Sequence, residues 1–178
     1  MENKNTWVLD PIHSEVQFKV RHLVISTVSG FFKKFEASLT TENEDFNGAS
    51  ISISLDADSI DTNFADRDEH LRGPEFFDAA NYPKLTFQST SFKNKSGEDY
   101  ELTGDLTIKG ITKPVVLDVI YGGTTIDFYD NTRAGFEVNG KINRTDFGLN
   151  WAAKTEAGTF VIGEEIGLAM FVEFTKSN

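Results

Sequence analysis

Residues 99–121 read DYELTGDLTIKGITKPVVLDVIY, and the spacing predicts two long strands folded about the bend Lys109-Gly110-Ile111-Thr112-Lys113. On the first strand Tyr100, Leu102, Leu106 and Ile108 share one face with Gly104, while Glu101, Thr103, Asp105 and Thr107 take the other. A period of two marks a strand with one buried and one wet face. On the return strand Val115, Leu117 and Val119 alternate with Val116, Asp118 and Ile120, so its outer face is only partly polar. Pro114 lacks an N–H and suits the start of that strand. Gly104 removes side-chain volume from an inward face, which either lets two backbones approach or leaves room for something else.

Outward from this hairpin the same alternation recurs. Trp7–Asp10 leads through Asp10-Pro11 into Ser14–Leu23, where Val16, Phe18, Val20 and His22 point one way. After a linker at 24–29, Gly30–Thr41 reads as a single strand with Phe31, Phe35, Ala37 and Leu39 on one face, and Lys33 on that face by parity. Ser50–Ala57 turns Ile51, Ile53 and Leu55 inward, Lys84–Lys93 turns Leu85 and Phe87 inward, and Arg133–Asn143 turns Ala134, Phe136, Val138, Gly140 and Ile142 inward. Glu165–Lys176 aligns Ile166, Leu168, Met170, Val172 and Phe174. One helix is expected at Asn63–Arg72: Thr62 or Asn63 can cap it, Asp66, Asp68 and Glu69 suit its dipole, and Gly73-Pro74 ends it. Its apolar stripe is thin, so it reads as a cover. The following PEFFDAANYP (74–83) is too aromatic for a free loop, and its Phe76, Phe77 and Tyr82 are expected to dock. With no repeat or linker, residues 1–178 read as one all-β domain. About eight sequential antiparallel strands of this length close into a barrel, which removes edge strands. Eight strands enclose an interior that side chains can fill or that holds one small ligand. Gly104 and Gly140 favour the ligand; the competing reading is that they ease strand coiling.

With 178 residues and 39% hydrophobic content, one sizeable core is expected, and sixteen Phe make it aromatic-rich. The formal net charge of -11 repels phosphate backbones and anionic headgroups, which argues against nucleic-acid and peripheral membrane binding. The absence of cysteine excludes disulfides, thiol catalysis and thiolate metal sites. The start MENKNTWVLD has no apolar leader core and no run approaches a membrane span, so a soluble, cytoplasmic protein is expected.

Four stretches taken together resemble a known family. They are HSEVQFKVRHL (13–23), SIDTNFADRDEHLRGPEFFDAANYPKLTFQS (59–89), LTGDLTIKGITKPVVLDV (102–119) and FEVNGKINRTDFGLNW (136–151). In this order they are similar to the YceI-like, or polyisoprenoid-binding, family, from about Trp7 to Phe174. The resemblance implies an extended eight-stranded lipocalin-like barrel with one short helix, whose apolar tunnel holds an isoprenoid, a quinone-type tail or a fatty-acid derivative. Many members are exported to the periplasm, and the lack of a leader departs from them. On this reading the tunnel wall comprises Phe18 and Val20; Phe31, Phe35 and Leu39; Ile53 and Leu55; Phe87; Leu102, Gly104 and Leu106; Phe136, Gly140 and Ile142; Trp151; and Leu168, Met170 and Val172.

Catalytic and metal motifs are missing. His13 and His22 are nine residues apart and face opposite sides of a regular strand, His70 lies on the helix, and no HxH, HExxH or GxSxG spacing occurs. Neither a catalytic residue nor a metal or other cofactor is expected. His22 is either a hydrogen-bonded structural residue or a headgroup contact at the mouth. Lys33 and Arg144 are the inward cations, and each needs an anion, the rim or a reach to water. For Arg144, a rim pair with Asp146 on the same face is favoured over a headgroup contact. The expected function is binding of one long apolar or amphiphilic molecule without covalent chemistry. The competing class is a stress-related structural or interaction protein with a filled barrel. Strand-mediated homodimerisation is compatible with either and has no residue-level signal.

Overall fold

The computed structural model of the chain describes residues 4–178; Met1–Asn3, part of the N-terminal stretch read above, lie outside them. Its strands are β1 (Asn5–Leu9), β2 (Glu15–His22), β3 (Ser26–Phe32), β4 (Phe35–Thr41), β5 (Ser50–Asp56), β6 (Ile60–Asp61), β7 (Lys84–Ser96), β8 (Asp99–Ile108), β9 (Ile111–Ile126), β10 (Thr132–Asn143) and β11 (Ile162–Lys176). The helix α1 spans Ala65–Arg72. Pairing is antiparallel in the order β1-β4-β5-β7-β8-β9-β10-β11-β2-β3-β6, and β1 also pairs with β11, which closes the sheet. Several short strands continue one another: β1 into β2 across a 3-10 turn at Pro11–His13, β3 into β4 across Lys33-Lys34, and β5 into β6. The result is a closed eight-stranded antiparallel barrel, as the alternation predicts.

The β8–β9 hairpin is longer and tighter than its sequence suggests. Ile108 pairs directly with Ile111, so only Lys109 and Gly110 turn the chain, at φ 52° and 74°. A two-residue hairpin loop with both residues left-handed matches the twist of its strands, and glycine accepts that conformation freely. Thr112 and Lys113 therefore belong to the strand, and β9 runs on to Ile126. Tyr100, Leu102 and Ile108 are buried from β8, and Leu117 and Val119 from β9, whereas Val116 and Ile120 face out.

The reading of 30–41 as one uninterrupted strand is corrected. Phe18 pairs with Gly30 and Gln17 with Phe31, so Phe31 lies on the outer face, where the Lys33 ammonium sits 5.1 Å from its ring centroid. Phe32 takes the inward position against Ile60. The break at Lys33-Lys34 restores the inward parity of Phe35, Ala37 and Leu39, and leaves Lys33 exposed.

The two halves of the interior differ. Toward the end bounded by the 42–49, 97–98 and 127–131 connections, aromatic rings fill the barrel. Phe46 packs edge-on against Phe136 at 5.0 Å, and Phe92 stacks on Tyr100 at 4.8 Å. Leu39, Leu102, Val119 and Phe174 complete this packed plug. Just outside it, one cation ties three segments together. Arg133 Nη1 donates to Asp10 Oδ2 (2.6 Å) and Glu173 Oε1 (2.8 Å), and its Nε donates to Asp127 Oδ2 (2.5 Å). Hydrogen bonds from His13 and then Arg133 hold the Asp10 carboxyl at about 2, and Arg133 holds that of Asp127 lower still. Asp10 in turn raises the pKa of His13. Asp10, His13 and Glu173 cluster as metal ligands could, but the guanidinium already occupies the space between the two carboxylates.

Candidate functional site

At the opposite end the barrel is hollow. A cavity of about 160 Å³ runs between β2, β5, β7, β8, β9, β10 and β11 and is roofed by Leu71 of α1 with Phe76 and Phe77. The expected residues Phe18, Val20, Ile53, Leu55, Phe87, Leu106, Ile142, Leu168 and Met170 line it. Most of these side chains point inward and yet stay only partly buried, because they face open space where the plug residues face one another. Leu39, Leu102, Phe136 and Val172, with Ile53 and Met170, instead surround a void of about 30 Å³ inside the plug.

Several expected wall residues stand elsewhere. A side chain on Gly104 would collide with the ring of Phe87, and one on Gly140 with Leu117. Their missing volume is thus already taken up by neighbouring side chains, and the glycines permit close packing where room for a ligand was expected. Phe31 and Lys33 face outward, as described above. Phe35 packs against both core clusters, outside the cavity wall. Trp151 lies beyond the cavity, with its ring 5.3 Å from Phe76 and 5.5 Å from His70. His22 pairs across the sheet with Ile162 at the end of β2 and is not among the lining residues.

The wall also holds residues that the sequence reading did not assign to it. Ile108, Val115 and Leu117 were legible as inward faces of the hairpin, and Phe76 and Phe77 as docking aromatics. Leu149 and Ile162 carry no periodic signal, because they flank an irregular segment.

Arg144 is 4% exposed and is the one charged residue among those lining the cavity. The expected pair with Asp146 does not form. Strand β10 ends at Asn143, and residues 144–147 wind into a 3-10 turn capped by the Asn143 side chain, which sends Asp146 outward. The guanidinium binds main-chain carbonyls instead: Nε donates to Gly163 O (2.8 Å), and Nη1 donates to Leu149 O (2.5 Å) and Trp151 O (2.8 Å). It thereby pins both ends of the segment that follows the turn. Burial pulls its pKa down from the ordinary arginine value, with a small opposing effect of Glu164. Nη2 has no acceptor among the described residues.

A closed eight-stranded antiparallel barrel with a helical roof over an apolar hollow defines a lipocalin-like barrel protein. The chain belongs to the YceI-like family, whose domain model matches residues 7–174. It is 40% identical over 161 residues to Protein YceI of Escherichia coli O17:K52:H18, covering 90% of this chain and 81% of that protein. A Campylobacter jejuni YceI protein has a similar structure, with a TM-score of 0.75 at 30% identity over 89% of this chain and 90% of that one. Burkholderia cenocepacia BcnA superposes with a TM-score of 0.79 at 24% identity, over 93% of this chain and 98% of its own. A polyisoprenoid binding domain from Saccharophagus degradans, implicated in plant cell wall breakdown, shares the fold at 17% identity with a TM-score of 0.70, over 96% of this chain and 98% of its own. No helix among the described residues is long and apolar enough to cross a membrane.

Proposed function

We propose that the barrel binds one long apolar or amphiphilic molecule, an isoprenoid, quinone-type or fatty-acid-derived lipid, and performs no covalent chemistry on it. The observation that carries this reading is the row of inward Leu, Ile, Val, Phe and Met side chains left partly uncovered around the hollow. Native interiors are close-packed, and apolar surface left facing a void loses its contacts. A lipid tail would restore them. Each buried CH₂ contributes about 0.8 kcal/mol, so a long chain retains useful affinity after the cost of ordering it. The likeness to the Saccharophagus polyisoprenoid binding domain supports the same ligand class. The competing picture of a filled barrel describes only the plug. Organic extraction of the purified protein followed by mass spectrometry tests the proposal, with added polyprenol or fatty acid titrated against thermal unfolding of the extracted protein. A lipid in the extract, or a ligand-dependent rise in Tm, is expected. An empty extract together with no Tm response to either additive would refute it.

A further inference from the structure

The end of the barrel that holds the hollow presents apolar side chains to solvent at neighbouring places. Strand β2 ends there at His22, whose partner Ile162 lines the cavity. Ile25 N donates to His22 O, so Leu23 and Val24 are the central residues of a turn, both left-handed at φ 52° and 67°. Such a turn suits Gly or Asn, and a β-branched residue is disfavoured in it. Val24 nevertheless occupies it, and Val24 and Ile25 stand 64% and 81% exposed. Leu23 N donates to Val161 O, which puts this tip beside Phe160, also exposed. Strand β6 runs antiparallel to β3, so the chain beyond Asp61 returns toward the same end and exposes Phe64 there. Each tip has a cation against it. Arg21 donates to Val24 O (2.6 Å), the Lys154 ammonium lies 4.7 Å from the Phe160 ring centroid, and the Arg67 guanidinium lies 5.7 Å from that of Phe64.

We infer that these tips form a docking surface for an anionic lipid bilayer, on which the barrel stands with its hollow end toward the membrane. An apolar side chain with a cation at its root matches the bilayer interface: the apolar part enters the acyl boundary and the cation stays among the headgroups. The formal net charge of -11 would oppose such contact if it were spread evenly, but it is not. At the plugged end the 42–49, 97–98 and 127–131 connections contain no Lys or Arg and expose Glu42, Glu44, Asp45, Glu98 and Asp130. The connections at the hollow end carry both signs, with Arg67, Lys109 and Lys154 alongside Asp66, Glu69 and Glu156. This asymmetry turns the plugged end away from a negative surface. It also disfavours the other exposed aromatic tip, Phe128 and Tyr129 at the plugged end, where Arg133 is already held by Asp10, Asp127 and Glu173. The inference goes beyond the lipid-binding reading and does not require the hollow to be occupied.

Co-sedimentation of the full chain with vesicles tests this, comparing phosphatidylcholine alone with phosphatidylcholine mixed with phosphatidylglycerol. Binding to the mixed vesicles should be about tenfold tighter and should weaken as salt is raised. Val24→Asn combined with Ile25→Ser removes the apolar tip yet suits the left-handed turn. Its Tm should therefore hold or rise while its vesicle binding falls about tenfold. Phe160→Ser should also weaken binding, and Phe128→Ser at the plugged end should leave it unchanged. Equal affinity for the two kinds of vesicle, binding to neither, or full binding by the folded double variant would overturn the inference. If the double variant instead turns a dimer into a monomer in sedimentation velocity, and vesicles bind neither form, the patch joins two copies of this chain and the membrane assignment is wrong. Lipid extraction reads the hollow and vesicle binding reads the surface, so either reading can fail while the other stands.

Discussion

Gly140 separates two meanings of a small inward residue. Its strand neighbours Val138 and Ile142 project into the barrel, and the gap it leaves is taken up by the Leu117 side chain. Gly140→Ala should therefore overpack, costing about 1–3 kcal/mol in denaturant unfolding, and should change bound lipid little. Gly104 under the Phe87 ring should behave alike. The plug and the hollow also differ residue by residue. Leu102→Ala, inside the plug, should cost about 2–5 kcal/mol, because its surroundings cannot collapse around the lost atoms. Leu168→Ala, which borders space already open, should cost measurably less in the same unfolding titration. Arg144 shows where sequence reading stops at this scale. Parity puts Asp146 on the same face two residues on, but parity holds only while the strand does, and the chain leaves it at Asn143. The acceptors that Arg144 uses are main-chain oxygens, which no sequence pattern identifies.

The helical roof and the segment after β10 act as one element although they are far apart in the chain. Arg144 fixes the carbonyl of Trp151, and the Trp151 ring packs on Phe76 and His70 of the roof. The His70 Nε2 in turn lies 2.6 Å from Glu75. Trp151→Ala should loosen the roof without opening the plug. The expected sign is faster amide hydrogen exchange in residues 70–77 with unchanged protection in β8 and β9, and faster lipid release. An unchanged release rate would show that the roof does not control access. Among the strands, β5, β7, β8, β10 and the inner face of β11 were legible, because an uninterrupted period of two specifies which side is wet. The β3–β4 strand was legible only in part. Two residues at Lys33-Lys34 shift the alternation, so that Phe32 and not Phe31 faces inward, and both alternatives are equally apolar. Only the pairing of Phe18 with Gly30 settles which phenylalanine is inside.

At the scale of the molecule, Arg133 joins the β1–β2 junction to β10, β11 and the 127–131 turn, and it makes stability depend on pH. The Asp10 and Asp127 carboxyls titrate below the ordinary aspartate value near 3.9. Their contribution is therefore present above about pH 4 and drains away as pH falls toward 2. His13 has the opposite sign: its raised pKa adds stability below about pH 6.5 that is lost as pH rises through the folded value. Thermal unfolding followed by circular dichroism should show Tm falling on the acid side, with a shallower fall above neutrality. In Arg133→Met, Tm at neutral pH should be lower and the acid limb flatter. The plug at the same end has a geometrical effect as well. It gives the hollow a floor at Met170 and Leu117, while the upper end of its wall on β11 is Ile162. Because β11 is bulged between Ile162 and Ile166, the height follows its partner β2, where the same span is the six steps from Val16 to His22, a depth of roughly 15 Å along a tilted strand. For a lipid held as proposed, the barrel is a measuring cup: a tail of matching length reaches the bottom, and a longer one must fold back or leave its surplus outside.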